Sequence, residues 1–187
     1  MNLIPITKKD EIYQSIKRIY CSAFPSEERC PWGWIFRKTK YASIELLAVM
    51  EEELPVGFIY LVHGNRLTYV FYFAMEESLR GKGYGSRTLA MVKERYPDHR
   101  IFLAIEELDE RADNYGQRVS RLAFYQKNGF ARTSCKLRER SVIYDVLSTD
   151  GGDVSNQDYL LMMRPFLTGP MRLFFKTYII EQNDGAK

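Results

Sequence analysis

The residues with the most chemistry in this 187-residue chain stand together at positions 80–86, Arg-Gly-Lys-Gly-Tyr-Gly-Ser. They follow an apolar run that ends Phe73-Ala74-Met75. They precede a stretch whose apolar residues, Thr88, Leu89, Val92 and Tyr96, recur at helical spacing. Glycine lets a backbone turn tightly and approach a ligand closely. The first amides of a helix have no partner within it, and the helix dipole concentrates positive charge there. Gly81, Gly83 and Gly85, interleaved with Arg80, Lys82, Tyr84 and Ser86, thus read as a backbone cradle for a diphosphate, with Arg80 and Lys82 adding charge. Other phosphate-binding patterns fail. A P-loop ends Gly-Lys-Ser/Thr, and Gly85-Ser86-Arg87 does not. A dinucleotide fingerprint needs Gly-x-Gly-x-x-Gly. Counted from Gly81 the third glycine comes one position early, and counted from Gly83 its place is held by Thr88.

Periodicity predicts the elements that hold this bend. A short strand over 2–7 leads to a helix on which Ile12, Ile16, Ile19, Tyr20 and Ala23 share a face, stopped by Pro25. A second helical region over 26–40 is interrupted by Pro31 and Gly33. Its Trp32-Gly33-Trp34 reads as a packed corner or as part of a substrate mouth. Strands are predicted at 44–50, 56–63 and 66–75, the last two an antiparallel hairpin about Gly64-Asn65. The helix after the cradle stops at Pro97, and 100–105 reads as a further strand. Strand, helix, strand implies a crossover and a parallel pair. A polar loop over 106–114 precedes a helix with Val119, Leu122, Ala123 and Gln126 on one face, ended by Asn128-Gly129. Two more strands, 130–147 with an interruption and 159–163, complete the pattern. After a break at Pro165, Gly169 and Pro170, residues 171–180 read as an aromatic amphipathic helix or strand, and 181–187 as a tail.

Composition bounds the function. Hydrophobic residues make up 45% and charged residues 27%, which suits a globular core. The net charge of +3, with no basic run, argues against nucleic acid as partner. Cys21, Cys30 and Cys135 are odd in number and lie beside no histidine, so neither a disulfide framework nor a metal site is expected. His63 and His99 stand far apart and read as surface or packed residues. The N-terminus lacks a signal pattern, and no apolar run approaches the ~20 residues that span a bilayer. The expectation is a cytoplasmic protein with no membrane partner.

Two motifs together carry a family resemblance. Arg80-Gly81-Lys82-Gly83-Tyr84-Gly85 fits Arg/Gln-x-x-Gly-x-Gly/Ala, and Tyr125-Gln126-Lys127-Asn128-Gly129-Phe130 fits a helix ending Tyr-x-x-x-Gly-Phe. In this order and context the chain resembles the GCN5-related N-acetyltransferase (GNAT) superfamily over about residues 1–165. The resemblance implies an α/β (α+β) fold: a mixed, mostly antiparallel sheet with a splayed central parallel strand pair, flanked by helices on both faces. A C-terminal extension, 166–187, would pack on that domain or meet a partner, and its apolar part could support a homodimer.

The resemblance also implies acetyl-CoA as acetyl donor. Backbone groups of Phe73, Ala74 and Met75 would pair with its pantetheine arm like an added strand, and the amides of Arg80 to Ser86 would hold its diphosphate. The expected activity is direct acetyl transfer to the amine of a small molecule or peptide. Tyr125 would protonate the departing thiolate. Glu106, directly after the apolar strand, is the candidate base, in a loop that also holds Glu107, Asp109 and Glu110. This acidic loop hints at a cationic acceptor. Many family members carry an asparagine seven residues before the tyrosine. This chain has Arg118 there and Asn114 four residues earlier. Arg118 and Arg121 share a helical face and could bind phosphate, pair with the acidic loop or contact an anionic acceptor. Tyr144 could line the acceptor site or belong to the core. The competing reading is a non-catalytic acyl-CoA-binding sensor or scaffold, which needs the cradle but neither Tyr125 nor Glu106.

Overall fold

In the computed structural model, residues 1–8, 11–26, 28–169 and 176–181 are described. The chain divides into two compact units, Met1–Val62 with Val70–Pro97, and His63–Tyr69 with Asp98–Lys187.

The first unit contains β1 (Asn2–Pro5), α1 (Ile12–Ala23), α2 (Trp32–Lys38), β2 (Ile44–Glu51), β3 (Leu54–His63, to Val62), most of β4 (Leu67–Met75), a 3-10 turn (Glu77–Leu79) and α3 (Tyr84–Arg95). Its strand order is β1-β2-β3-β4. β2 runs antiparallel to both β1 and β3, with Leu3 opposite Val49 and Leu47 opposite Ile59. Residues Val56 to Val62 are all buried. A strand covered on both faces has no polar side to alternate with, hence its continuous apolar run. Helix α1 buries Ile16, Ile19 and Tyr20. Tyr20, Phe24 and Tyr72 form an aromatic cluster, with Phe24 4.9 Å and Tyr20 5.1 Å from Tyr72 between ring centroids. The hydroxyls are not stranded in this core. Tyr20 donates to Cys30 O (2.9 Å), and the Tyr72 oxygen accepts from Cys30 N (3.1 Å). Trp32 and Trp34 are packed, the first edge-on to Tyr13 and the second beneath the Lys38 ammonium at 4.1 Å.

The second unit contains the start of β4, β5 (Arg100–Glu106), α4 (Tyr115–Lys127), β6 (Ala131–Glu139), β7 (Val142–Ser148), α5 (Asn156–Met163) and β8 (Thr177–Ile180). Its strand order is β4-β5-β7-β6-β8. β4 and β5 form the one parallel pair of an otherwise mostly antiparallel sheet, and Arg100 N donates to Arg66 O (2.9 Å). Glu106 lies opposite Tyr144, and Leu137 opposite Ile179. Tyr69 stacks on Phe102 at 4.8 Å.

Four expectations need correction. The run 159–163 is helical, not a strand. Ser155 caps α5 by accepting from Asp158 N (3.1 Å), and Tyr159, Met162 and Met163 are buried at i, i+3, i+4 spacing. The run 130–147 is a hairpin of two strands, turning at Arg140, whose φ of 55° is left-handed. The second helical region shrinks to α2, since Pro31 ends the loop before it. The inward face of α4 passes through half-buried Arg118 and Leu122 to buried Tyr125, whereas Val119, Ala123 and Gln126 are exposed. An ion pair draws Arg118 inward, which a reading of apolar residues alone does not register. Within 166–187, Thr177–Ile180 pairs with β6, while residues 170–175 and 182–187 lie outside those described.

Candidate active site

The cradle belongs to the first unit. β4 ends at Met75, with Phe73 and Met75 half-buried and Ala74 buried. Glu76 N donates to Val56 O (2.9 Å), and the Glu76 carboxylate accepts from Glu77 N, opening the 3-10 turn. The chain then reverses through Gly81 (φ 76°) and Gly83 (φ 82°), the latter the N-cap of α3. A side chain at either φ would strain the backbone, so the two glycines are what let the chain enter α3 at this angle. Glycine has no capping side chain, and the first helical bond runs from Arg87 N to Gly83 O (3.1 Å). Among the described residues nothing accepts from the amides of 81–86. Arg80, Gly81, Lys82 and Gly83 are exposed, and Tyr84, Gly85 and Ser86 half-buried. Arg80 and Lys82 form no ion pair with a described residue. Arg87 is engaged with Glu51 (3.3 Å). The result is a run of free N–H groups and two free cations at a helix N-terminus, an arrangement that suits a polyanion.

Tyr125 and Glu106 belong to the second unit. Tyr125 ends the buried face of α4, 9% exposed, between the rings of Phe124 and Phe130. The helix stops just beyond it because Gly129 N donates to Gln126 O and Phe130 N to Tyr125 O, a left-handed glycine cap. The Tyr125 hydroxyl makes no hydrogen bond to a described residue. Burial pushes it up to about 12, and the nearby charge of Arg121 pulls the other way.

Glu106 ends β5, and both of its oxygens are occupied. Oε1 meets Arg118 Nη2 (2.9 Å) and Oε2 meets Arg121 Nη1 (3.1 Å), while Asn114 Nδ2 reaches both (3.3 and 3.4 Å). Arg118 is anchored through all three nitrogens, since its Nε also donates to Asn114 Oδ1 and its Nη1 to Glu107 O, each at 2.7 Å. Asn114 is the N-cap residue of α4, but its side chain makes no cap bond and instead bridges Glu106 to Arg118. Of the three partners open to Arg118 and Arg121, the structure shows the acidic one. The neighbouring Glu107 takes Lys136 (2.9 Å), which also binds buried Asp145, itself paired with Arg132 (3.1 Å). Burial pulls the Lys136 amine down, but its two carboxylate partners outweigh it and the net direction is up. Tyr144 is half-buried beside this network on β7. The acidic loop is therefore largely neutralised by the chain's own cations, a pairing across distant elements that sequence spacing does not reveal. Among the described residues no three His, Cys, Asp or Glu side chains gather to hold a metal ion, and no helix is long and apolar enough to cross a membrane.

The profile of the acetyltransferase (GNAT) family matches residues 11–130. Among curated proteins no sequence matches the chain. Solved structures do. A GNAT-family protein from Bacteroides thetaiotaomicron superimposes with a TM-score of 0.67 at 24% identity, covering 89% of this chain and 96% of that one. An aminoglycoside 6'-N-acetyltransferase complexed with coenzyme A gives 0.60 at 14% identity over 79% and 96%. A GNAT-family acetyltransferase from Elizabethkingia anophelis with acetyl-CoA bound gives 0.54 at 15% over 79% and 95%. These likenesses establish the fold. With a profile that spans more than half of its length, the chain belongs to the acetyltransferase (GNAT) family.

Proposed function

We propose that the protein transfers the acetyl group of acetyl-CoA directly to an amine of a small molecule or peptide. The observation that carries this reading is the set of unpartnered amides at 81–86, presented by two left-handed glycines at the start of α3. They suit the diphosphate of coenzyme A, with Arg80 and Lys82 as counter-charges and the backbone of Phe73, Ala74 and Met75 along the pantetheine arm. Tyr125 serves in this reading as the acid, a role that catalysis needs and a binding module does not; burial keeps its hydroxyl protonated at neutral pH. As the amine adds and the tetrahedral intermediate collapses, the C–S bond breaks. The phenol gives its proton to the sulfur, and the surplus proton on nitrogen returns to the phenolate. An ordinary thiol lies near 8.5, so handing a proton from this phenol to a free thiolate runs uphill by roughly 5 kcal/mol unless the phenolate is stabilised.

Glu106 serves in this reading as a brace for the arginines of α4 rather than as the base. To accept a proton it would surrender charge-assisted bonds to two guanidinium groups. The amine then arrives as its free-base fraction or loses its proton to water. In this reading the catalytic domain spans 1–165 and 166–187 is an extension, of which Thr177–Ile180 pairs with β6. We place the protein in the cytoplasm, where an exposed free thiol such as Cys21 persists.

The test is coenzyme A titration by calorimetry, followed by acetyl-CoA-dependent thiol release across amines that include polyamines, amino acids and lysine peptides. Binding with amine-dependent release is expected. Absence of binding removes the reading, and binding without release to any amine favours the sensor.

A further inference from the structure

The same α4 face holds an arginine whose placement the acetyl-transfer reading leaves unused. Arg121 stands one turn before Tyr125, so the two side chains share a face at i, i+4. Its guanidinium has five N–H donors and, among the described residues, a single bond, Nη1 to Glu106 Oε2 at 3.1 Å. Arg118, two turns before Tyr125, is held away from it by bonds from all three nitrogens to Asn114, Glu107 and Glu106. The Tyr125 ring packs edge-on to the apolar rings of Phe124 and Phe130.

We propose that Arg121 is a positioning residue for the chemical step: Glu106 fixes it beside Tyr125, where it steadies the negative charge that appears on the phenol oxygen when the O–H bond breaks and the S–H bond forms. The inference rests on the assignment of Tyr125 as the acid. Charge moves from sulfur to oxygen in that step and leaves again when the phenolate takes the surplus proton from nitrogen. A phenolate against the apolar rings of Phe124 and Phe130 gains no hydrogen bond from them, and a cation one turn away adds stabilisation that they do not. The direction in which Arg121 acts on the Tyr125 hydroxyl agrees, opposing the effect of burial. Glu106 accounts for the orientation, since a half-exposed arginine without a tether would sample many rotamers.

The experiment compares Arg121→Gln, Arg121→Lys and Tyr125→Phe, singly and combined. Arg121→Gln is expected to lower kcat about tenfold, the effect of one unit in the acidity of the phenol, with the KM for acetyl-CoA changed by less than about twofold. Arg121→Lys should restore most of the rate. In the Tyr125→Phe background, Arg121→Gln should change kcat by less than about twofold, since the two act as a unit. A direct readout comes from 3,5-difluorotyrosine installed at position 125, whose ionisation is followed by fluorine NMR. Its titration should move upward in Arg121→Gln. A titration that stays in place, or an equal loss of rate with and without the Tyr125 hydroxyl, overturns the role of Arg121 while leaving acetyl transfer intact. An unchanged rate in Tyr125→Phe instead removes the acid on which both depend.

Discussion

Gly83 does at one position what no other residue type does as cheaply. Its φ of 82° lets α3 begin directly after the reversal, with its first amides uncapped. A Cβ placed there meets no heavy atom within 4 Å, so a substitution acts through the backbone rather than through collision. Gly83→Ala should cost about 1–2 kcal/mol in conformational strain, lower Tm by a few degrees, and weaken coenzyme A binding by about tenfold or more in calorimetry. A lower Tm with unaltered affinity would show that these amides are not the diphosphate cradle. The bend at Gly81 and Gly83 was legible at once, because glycine enters the left-handed region at the least cost. Glu106 was legible as a carboxylate at a strand end, but its role was not. Its three partners come from a loop and a helix 8 to 15 residues further on, and only their side-chain directions decide whether it is free.

Among the elements, α4 and α5 show how far pattern reaches. Tyr159-Leu160-Leu161-Met162-Met163 is apolar throughout, and periodicity cannot separate a short buried strand from a short helix in such a run. The deciding signal was Ser155 three residues before Asp158: the serine oxygen accepts from Asp158 N and its hydroxyl donates to Asp158 Oδ2 (2.7 Å). Ser155→Ala should therefore lower stability by about 1 kcal/mol, seen as a fall of about 2–4 °C in Tm. An alanine variant with the parent Tm would show that packing of Tyr159, Met162 and Met163 alone holds this helix. In α4 the end was legible from Asn128-Gly129, whereas the buried face was not, because the inward residues include Arg118.

Across the molecule, the feature with a measurable consequence is the number of phenols in the interior. Burial raises Tyr20, Tyr60, Tyr69, Tyr72, Tyr125 and Tyr159 above the ordinary value of 10.0. The folded chain thus favours the neutral phenols, while the same groups ionise near 10 once unfolded. Their contribution is fully present below about pH 10 and is lost as pH rises through the folded values. Above that point the folded state binds more protons than the unfolded state, and stability falls by about 1.4 kcal/mol per pH unit for each such tyrosine. Denaturant unfolding at pH 7, 8.5 and 11 should show no tyrosine-dependent change between the first two and a sharp loss at the third. An equal midpoint at pH 11 would contradict the burial of these hydroxyls.

The sequence by itself determined the family, the order of most elements and the glycine bend before α3. All three depend on neighbours within a few residues, where spacing and backbone preference act directly. Tertiary structure alone decided which charges meet. Lys136 finds Glu107 and Asp145, Arg121 finds Glu106, and His63 and His99, 36 positions apart, both place Nδ1 on the Thr68 hydroxyl at 3.0 and 2.8 Å. Such pairings depend on strand register and helix rotation, which the burial of the whole core sets and which no local pattern encodes.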